Sequence, residues 1–299
     1  MRIFFVGSTH LGHACLRILK DQPNVEICGV LTAPSVFKIS YAPEGVKNIL
    51  HCDFAPLTKE IGCPLVNLDS KMTSVELFNE IESLKPDLVL VIGWHHMIPK
   101  SWLDRWPSFG VHASLLPRYA GGAPLVWAII EGQKKVGVTL FQLDDGVDSG
   151  PIVNQSAIRV RSNDDIASIL ARVEVRTMQL IKEEVPHLLS ADSQRVPQNL
   201  AGRTIYPQRK PSDGQIDAPM SIRKMRNFVR AQTHPYPGAF LEKDGVRTKI
   251  WKLGRSKFTL KRKTGLYQHG KVLYLGLGRR SLEIVRYVHM SLPTMKDSE

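Results

Sequence analysis

Residues 88–92 read Leu-Val-Leu-Val-Ile, five apolar side chains in a row directly after Pro86-Asp87. Successive side chains of a strand point to opposite faces, so an unbroken apolar run needs both faces covered. That is the condition of a central strand in a parallel sheet. Residues 2–6, ending at Gly7, and residues 25–31 have the same character. Between and after the runs, apolar residues recur at helical spacing: Leu11, Cys15, Leu16 and Leu19; Val75, Leu77, Phe78, Ile81 and Leu84; residues 125–130 after Pro124; and Ile169, Leu170, Val173, Met178, Leu180 and Ile181 within 166–189. The alternation predicts an α/β fold, a Rossmann-like parallel sheet with helices on both faces. Residues 32–56, rich in Pro, Gly and aromatics, read as a long loop. The first strand is followed by Gly7-Ser8-Thr9-His10-Leu11-Gly12 rather than Gly-x-Gly-x-x-Gly, so a dinucleotide cofactor is not indicated.

After a polar stretch at 191–203, read as a linker, the pattern changes. Ile222, Met225 and Val229 mark a short helix bearing Arg223, Lys224, Arg226 and Arg230. Residues 239–243 and 246–251 flank Asp244-Gly245, a strong hairpin signal, and residues 272–276 and 281–287 add strand-like runs. The expected organisation is an α/β domain over 1–190, the linker 191–203, and a smaller β-rich domain over 204–299. Charge divides the same way. The chain carries a net +12, yet residues 1–200 hold 19 Lys and Arg against 21 Asp and Glu, while residues 201–299 hold 21 against 7. The whole basic excess lies in the last third, which bears on partners rather than on fold.

No apolar run reaches the roughly 20 residues needed to span a bilayer. The short run at the N-terminus stops at Gly7 and reads as a first strand rather than a signal peptide, so a cytoplasmic protein without membrane contact is expected. Cys15, Cys28, Cys52 and Cys63 form no Cys-x-x-Cys pair and are expected to be reduced. His51-Cys52 and His95-His96 match no zinc spacing, so no metal is expected.

The most informative chemistry lies between 109 and 150. Residues 109–124 read FGVHASLLPRYAGGAP and residues 136–150 read VGVTLFQLDDGVDSG. His112 and Asp148 each sit just past an apolar run, 109–111 and 136–143. Ligands of open α/β sheets bind at the carboxyl ends of the strands, where a His and an Asp make an acid/base pair. The same two residues also read as a solvated His and a turn-forming Asp, because Asp-Gly and Ser-Gly are ordinary turn dipeptides. The wider series decides between these. His-x-Ser-Leu-Leu-Pro with its Gly-rich loop, the later Asp-x-Gly-x-Asp-Ser-Gly, Gly93-Trp94-His95-His96-Met97-Ile98-Pro99-Lys100, and Pro235-Tyr236-Pro237-Gly238-Ala239-Phe240 follow one another in order. Together they resemble the 10-formyltetrahydrofolate-dependent formyltransferase superfamily, from the first strand to at least Trp251.

That resemblance implies transfer of a formyl group from 10-formyltetrahydrofolate, as co-substrate, to a primary amine, and an OB-like second domain. Acyl transfer needs a donor to the developing oxyanion and an acceptor for the amine proton. The resemblance gives His112 the oxyanion and proton work. It gives Asp148 the orientation and charge stabilisation of His112, and a share in accepting the amine proton through water. It places the folate against Trp94, His95 and Met97, against Ser114 and Leu115, and against Leu143, Asp144 and Gly146, with backbone groups on the pterin edge and apolar side chains over the ring. Met97 and Leu143 read equally well as core packing. Ser8, Thr9, Arg118 and Tyr119 fall to the acceptor side. One departure stands out: the family Asn two residues before the His is Gly110 here.

Three readings of the acceptor follow. Between 32 and 50 the only cations are Lys38 and Lys47, where tRNA-directed members of the superfamily carry a more basic, Gly-rich insert. Phe37 and Tyr41 could instead stack on a base or a sugar. These features favour the amino group of a nucleotide-linked sugar. The basic last third favours methionyl-tRNA, since phosphate neutralisation dominates nucleic-acid affinity. A folate-binding paralogue that has lost catalysis with the Asn is the third. Reversing the charge of Arg223, Lys224, Arg226 and Arg230 would separate the first two.

Overall fold

The computed structural model describes residues 1–39, 42–69, 71–217, 220–254, 265–270, 272–277 and 280–291. By packing the chain forms two units, one made of Met1–Gly121, Gly137–Ile158 and Arg172–Ile205, the other of Gly122–Val136, Arg159–Ala171 and Tyr206–Glu299. Among the described residues no helix is long and apolar enough to cross a membrane.

The first unit opens with β1 (Arg2–Val6), α1 (His10–Leu19) and β2 (Glu26–Thr32). There follow β3 (Val36–Ile39), β4 (Ala42–Lys47), α2 (Ala55–Ile61), β5 (Leu65–Asn67), α3 (Val75–Ser83), β6 (Leu88–Val91), α4 (Lys100–Arg105) and β7 (Ser108–His112). After β8 (Ala120–Gly121), and beyond α5 (Pro124–Ile130), which belongs to the second unit, come β9 (Lys135–Gln142), β10 (Ile152–Arg159) and α6 (Ile166–Glu184), whose first six residues also belong to the second unit. Seven strands form one sheet in the order β10-β9-β7-β6-β1-β2-β5. Pairing is parallel from β5 through β2, β1 and β6 to β7. Ile3, Phe4, Phe5 and Val6 in β1 are fully buried, as the unbroken apolar run requires, each contributing about 1.5–3 kcal/mol. The expected Rossmann-like parallel sheet is present.

Two details differ from the sequence reading. Residues 32–56 are not one long loop: β3 and β4 pair as an antiparallel hairpin, Val36 with Lys47 and Phe37 with Val46, and α2 begins at Ala55. The Val and Phe residues outweigh the Pro and Gly content there. Tyr41 and the side chain of Phe37 lie outside the described residues, and with them the proposed aromatic pair. The second difference matters for the site. β9 runs antiparallel to β7, with His112 opposite Thr139 and Phe109 opposite Gln142. A parallel strand needs a crossover helix packed on the sheet, and α5, the helix leading to β9, belongs by packing to the other unit. The two strands that carry the motif therefore end at opposite edges, not at one carboxyl edge.

The chain passes from the first unit to the second within β11 (Ile205–Tyr206), and the second unit contains α7 (Ile222–Arg230), which is capped by Ser221 accepting from Lys224 N at 3.2 Å. β12 (Ala239–Lys243), β13 (Val246–Leu253), β14 (Gly265–His269), β15 (Val272–Leu277) and β16 (Arg280–Ser291) form an antiparallel sheet in the order β12-β13-β16-β15-β14. Asp244 and Gly245 both take positive φ, +50° and +73°, the geometry their dipeptide signals between two strands. Met225, Phe228 and Val229 of α7 pack with Ile216, Ala239, Ile250, Leu275, Leu282 and Ile284 as one core. This is the smaller β-rich domain expected.

Not all of α7's charge faces outward. Arg223 and Lys224 are exposed, but Arg226 donates to Gly254 O at 2.8 Å. Arg230 donates to Arg161 O at 2.9 Å, Asp164 O at 3.0 Å and Asn227 Oδ1 at 3.0 Å, and its burial lowers its pKa. The four-residue charge reversal therefore confounds binding with folding. Arg230→Met, which keeps the stem and removes the donors, is expected to cost about 2 kcal/mol through the unmet carbonyls. Scanning calorimetry should show this as a drop of about 4–8 °C in the unfolding of this unit. An unchanged melting profile would show that the three bonds contribute nothing.

Candidate active site

His112 and Asp148 meet. His112 Nδ1 lies 3.5 Å from Asp148 Oδ2, with side chains 12% and 21% exposed. The three-residue stagger between His112 and the end of β9 spans about 10 Å, so the 143–151 loop must fold back to make this contact. Asp148 itself takes φ +52°, a left-handed conformation that Asp tolerates better than most residues. Its Oδ2 accepts from Gly121 N at 2.8 Å. On the other side of the ring, His112 Nε2 is 2.7 Å from the carbonyl oxygen of Tyr119. A carbonyl only accepts, so Nε2 carries a proton and donates it there. Nδ1 is then the ring position left facing the carboxylate, a lone pair in the neutral ring and a second donor in the protonated one.

The loop after His112 is held from below by one hydroxyl. Thr139 Oγ1 donates to Ser114 O at 2.7 Å and accepts from Leu116 N at 3.2 Å and from Gln155 Nε2 at 2.8 Å. Gln155 Nε2 also donates to Leu116 O at 2.8 Å. Ser114 is buried and donates to Arg118 O at 2.8 Å, so its hydroxyl is committed to the loop. Leu115 is half-buried beside Gly137, and Arg118 is exposed, its guanidinium 5.6 Å over the ring of buried Tyr119.

Ser8 and Thr9 build the neighbouring loop. Ser8 donates through N and Oγ to Gly93 O, both at 3.2 Å, and Thr9 caps α1 by accepting from Gly12 N at 3.3 Å. Both are buried. Gly93 has φ +67°, and a Cβ there would lie 1.9 Å from Thr9 Oγ1, so only glycine lets the chain turn out of β6. The turn delivers Trp94, His95 and Met97. Trp94 is half-buried with its ring 5.4 Å from that of His96, and its buried Nε1 has no protein acceptor. Burial holds the His96 pKa below its ordinary value. His95 is exposed, and Met97 is 61% exposed, which excludes core packing for it. Asp144 closes the start of the other loop, accepting from Gly146 N at 3.2 Å and from Ser149 Oγ at 2.8 Å. Leu143 is half-buried over Gly110: a Cβ on Gly110 would lie 2.8 Å from Leu143 Cδ2.

Sequence reasoning missed the residues that brace the pair. Thr139 left a faint signal as the one hydroxyl in the apolar run 136–143. Gln155, Gln198, Arg203 and Thr204 left none, because each acts through backbone groups distant in sequence. Gln198 Nε2 donates to Asp148 O at 2.9 Å and to Gly150 O at 2.7 Å. Arg203 donates to Val147 O. Tyr119 N donates to Thr204 Oγ1 at 2.8 Å. All four cysteines are free thiols, and burial pushes the Cys15 thiol up to about 12. Among the described residues no three His, Cys, Asp or Glu side chains gather to hold a metal.

Comparison with known proteins agrees with the motif series. The profile of the family described as "Formyl transferase" matches residues 1–185, and that of "Formyl transferase, C-terminal domain" matches residues 209–288. A methionyl-tRNA formyltransferase of Bacillus pumilus is 30% identical over 285 residues, covering 92% of this chain and 86% of that one. Among solved structures, a methionyl-tRNA formyltransferase from Clostridium thermocellum superposes with a TM-score of 0.61 at 16% identity, over 97% of this chain and 99% of that one. An N-formyltransferase from Helicobacter canadensis, in complex with folinic acid and dTDP-3-aminofucose, gives 0.69 at 16% identity, over 94% and 98%. The structural matches establish the fold, and the profiles and the sequence relative establish the lineage. With both of its parts accounted for, the chain belongs to the formyl transferase family.

Proposed function

We propose that this chain transfers a formyl group from 10-formyltetrahydrofolate to the amino group of methionyl-tRNA. The observation that carries the chemistry is the His112–Asp148 contact, with Nε2 tethered to Tyr119 O and Nδ1 left facing the carboxylate. With Nε2 committed, the proton released by the attacking amine has a place between Nδ1 and Asp148. This shifts the weight of His112 from oxyanion donor, as the resemblance alone implied, toward proton acceptor.

The loops around Trp94, His95 and Met97 and around Leu143, Asp144 and Gly146 suit the folate. The unpartnered indole N–H of Trp94 is a donor without an acceptor, and exposed Met97 offers apolar cover. Ser114 and Leu115 shape the wall beside it, and Ser8 and Thr9 act by setting Gly93 rather than through free hydroxyls. Arg118, beside Tyr119, suits an anionic acceptor. The functional division we read is 1–190 for catalysis, 191–203 between, and 204–299 for the acceptor.

The acceptor favoured by the sequence alone was the amino sugar. Two things move the reading to tRNA: relatives that are methionyl-tRNA formyltransferases align over both units, and the last third holds the whole basic excess. The amino sugar remains the second reading, supported by the fold of the Helicobacter canadensis enzyme and by the few cations at 32–50. Formylation of initiator methionyl-tRNA against that of a dTDP-amino sugar, at equal donor concentration, tests the choice. Robust product on the sugar alone overturns it, and product on neither supports the inactive paralogue.

Gly110 gives a separate prediction. Leu143 occupies the space a side chain there would need, so Gly110→Asn must push it toward the folate. Overpacking of about 1–3 kcal/mol should weaken donor binding about ten- to a hundredfold. Leu143→Ala in the same chain should restore it, read from donor KM. A single variant with unchanged KM would show that Leu143 does not border the donor.

A further inference from the structure

The segment from Val196 to Thr204 reaches Asp148 directly and His112 through Tyr119, and does so from one continuous stretch. Val196 and Ile152 exchange backbone hydrogen bonds of 2.8 Å, which sets the register of the segment against the base of the 143–151 loop. Two residues on, Gln198 spends both amide protons on that loop, at Asp148 O and Gly150 O. Two carbonyl acceptors fix the orientation of the amide, so its oxygen points away; that oxygen is buried without a partner. Arg203 donates to Val147 O, the carbonyl directly before Asp148. Thr204 then turns to the other side. Its Oγ1 accepts from Tyr119 N, its N donates to Pro117 O at 3.3 Å, and its O accepts from Ala120 N at 2.9 Å. Tyr119 is the residue whose carbonyl holds His112 Nε2.

We propose that residues 196–204 form a positioning strap for the reaction: Gln198 sets Asp148, Thr204 sets Tyr119 and through it His112, and the five residues between them fix the separation of the pair. This rests on reading His112 and Asp148 as the reacting groups. Asp148 sits in a left-handed conformation at the tip of a loop that folds back on itself, and Asp144 and Ser149 brace the loop only internally. The strap ties that loop to the 117–120 segment, so neither side can drift without the other.

The test uses the full-length chain with 10-formyltetrahydrofolate and whichever acceptor it turns over, initiator methionyl-tRNA or a dTDP-amino sugar. Gln198→Glu is nearly isosteric but places an oxygen against two carbonyls. It should lower kcat about 10²-fold, the cost of a displacement of roughly 1 Å, with donor KM unchanged, measured at a temperature where the variant is fully folded. Thr204→Val should act in the same direction and Thr204→Ser should restore the wild-type rate, because the hydroxyl is what Tyr119 N needs. Val175→Ser, at an exposed position of α6 outside the strap, should leave kcat alone. His112→Ala is run beside them. If it is inactive while Gln198→Glu keeps the wild-type kcat, the strap is wrong and the site reading stands. If His112→Ala stays active, both fall. A Gln198→Glu chain whose kcat loss simply follows a lowered melting temperature, or a Thr204→Ser chain as slow as Thr204→Val, also overturns the proposal.

Discussion

His112→Ala is expected to slow formyl transfer by about 10²–10⁴-fold, the range that one positioned acid/base group supplies. Donor affinity should stay near wild type, because the residues proposed to hold the folate lie at 93–99 and 143–146 and at Ser114 and Leu115, where Ser114 is held by Thr139 and Arg118 rather than by His112. The Ala side chain removes Nδ1, where the amine proton is proposed to go, and Nε2, whose bond to Tyr119 O fixes the ring. His112→Gln separates the two losses. Its amide can still donate to Tyr119 O, but it cannot take up a proton, so it should be nearly as slow as Ala. Asp148→Asn keeps an oxygen for Gly121 N and loses the negative charge opposite Nδ1; a loss of similar size is expected. Single-turnover transfer and equilibrium donor binding distinguish these outcomes. A His112→Ala chain that transfers at close to the wild-type rate would remove His112 from the reaction.

How much of this was legible in the sequence depended on whether a feature acts locally. The run Leu88–Val91 and the buried Ile3–Val6 of β1 were readable because burial on both faces leaves no polar alternative. The Asp244-Gly245 hairpin was readable because positive φ at two adjacent residues restricts residue type. The pair itself was readable, but for an incomplete reason. His112 and Asp148 are joined not by sharing one edge of a parallel sheet but by a loop that returns from an antiparallel strand. Nothing in residues 136–143 marks strand direction. The direction follows from where α5 packs, which is a tertiary choice. The bracing residues were hidden for a related reason. Gln198 and Thr204 bond to partners 48 to 87 positions away, and in sequence they belong to a polar stretch that reads as a connection. Arg226 and Arg230 show the converse error: a basic helix looks like one solvated face until the carbonyls of Gly254, Arg161 and Asp164 are found to claim half of it.

That distinction sets the experiment on the acceptor. If the acceptor is tRNA, log affinity should fall steeply and linearly with log salt. A surface meeting six or more phosphates loses about 10³–10⁵ in affinity between roughly 50 and 200 mM salt. A nucleotide diphosphate sugar presents too few charges for such a slope. The mutational arm must use only cations that face solvent. Arg223→Glu with Lys224→Glu leaves the Arg226 and Arg230 bonds intact, so the melting temperature should hold. Each lost phosphate contact should flatten the salt slope by about one, and the two together should weaken tRNA binding by orders of magnitude at low salt. Turnover at saturating acceptor should survive, since the substitutions remove neither His112 nor Asp148. An unchanged steep slope in the double variant would put the phosphate contacts on cations other than Arg223 and Lys224, whereas a salt slope near zero would mean that tRNA is not held through its phosphates. The amino sugar would then be the better acceptor, with the family, the fold and the His112–Asp148 geometry untouched.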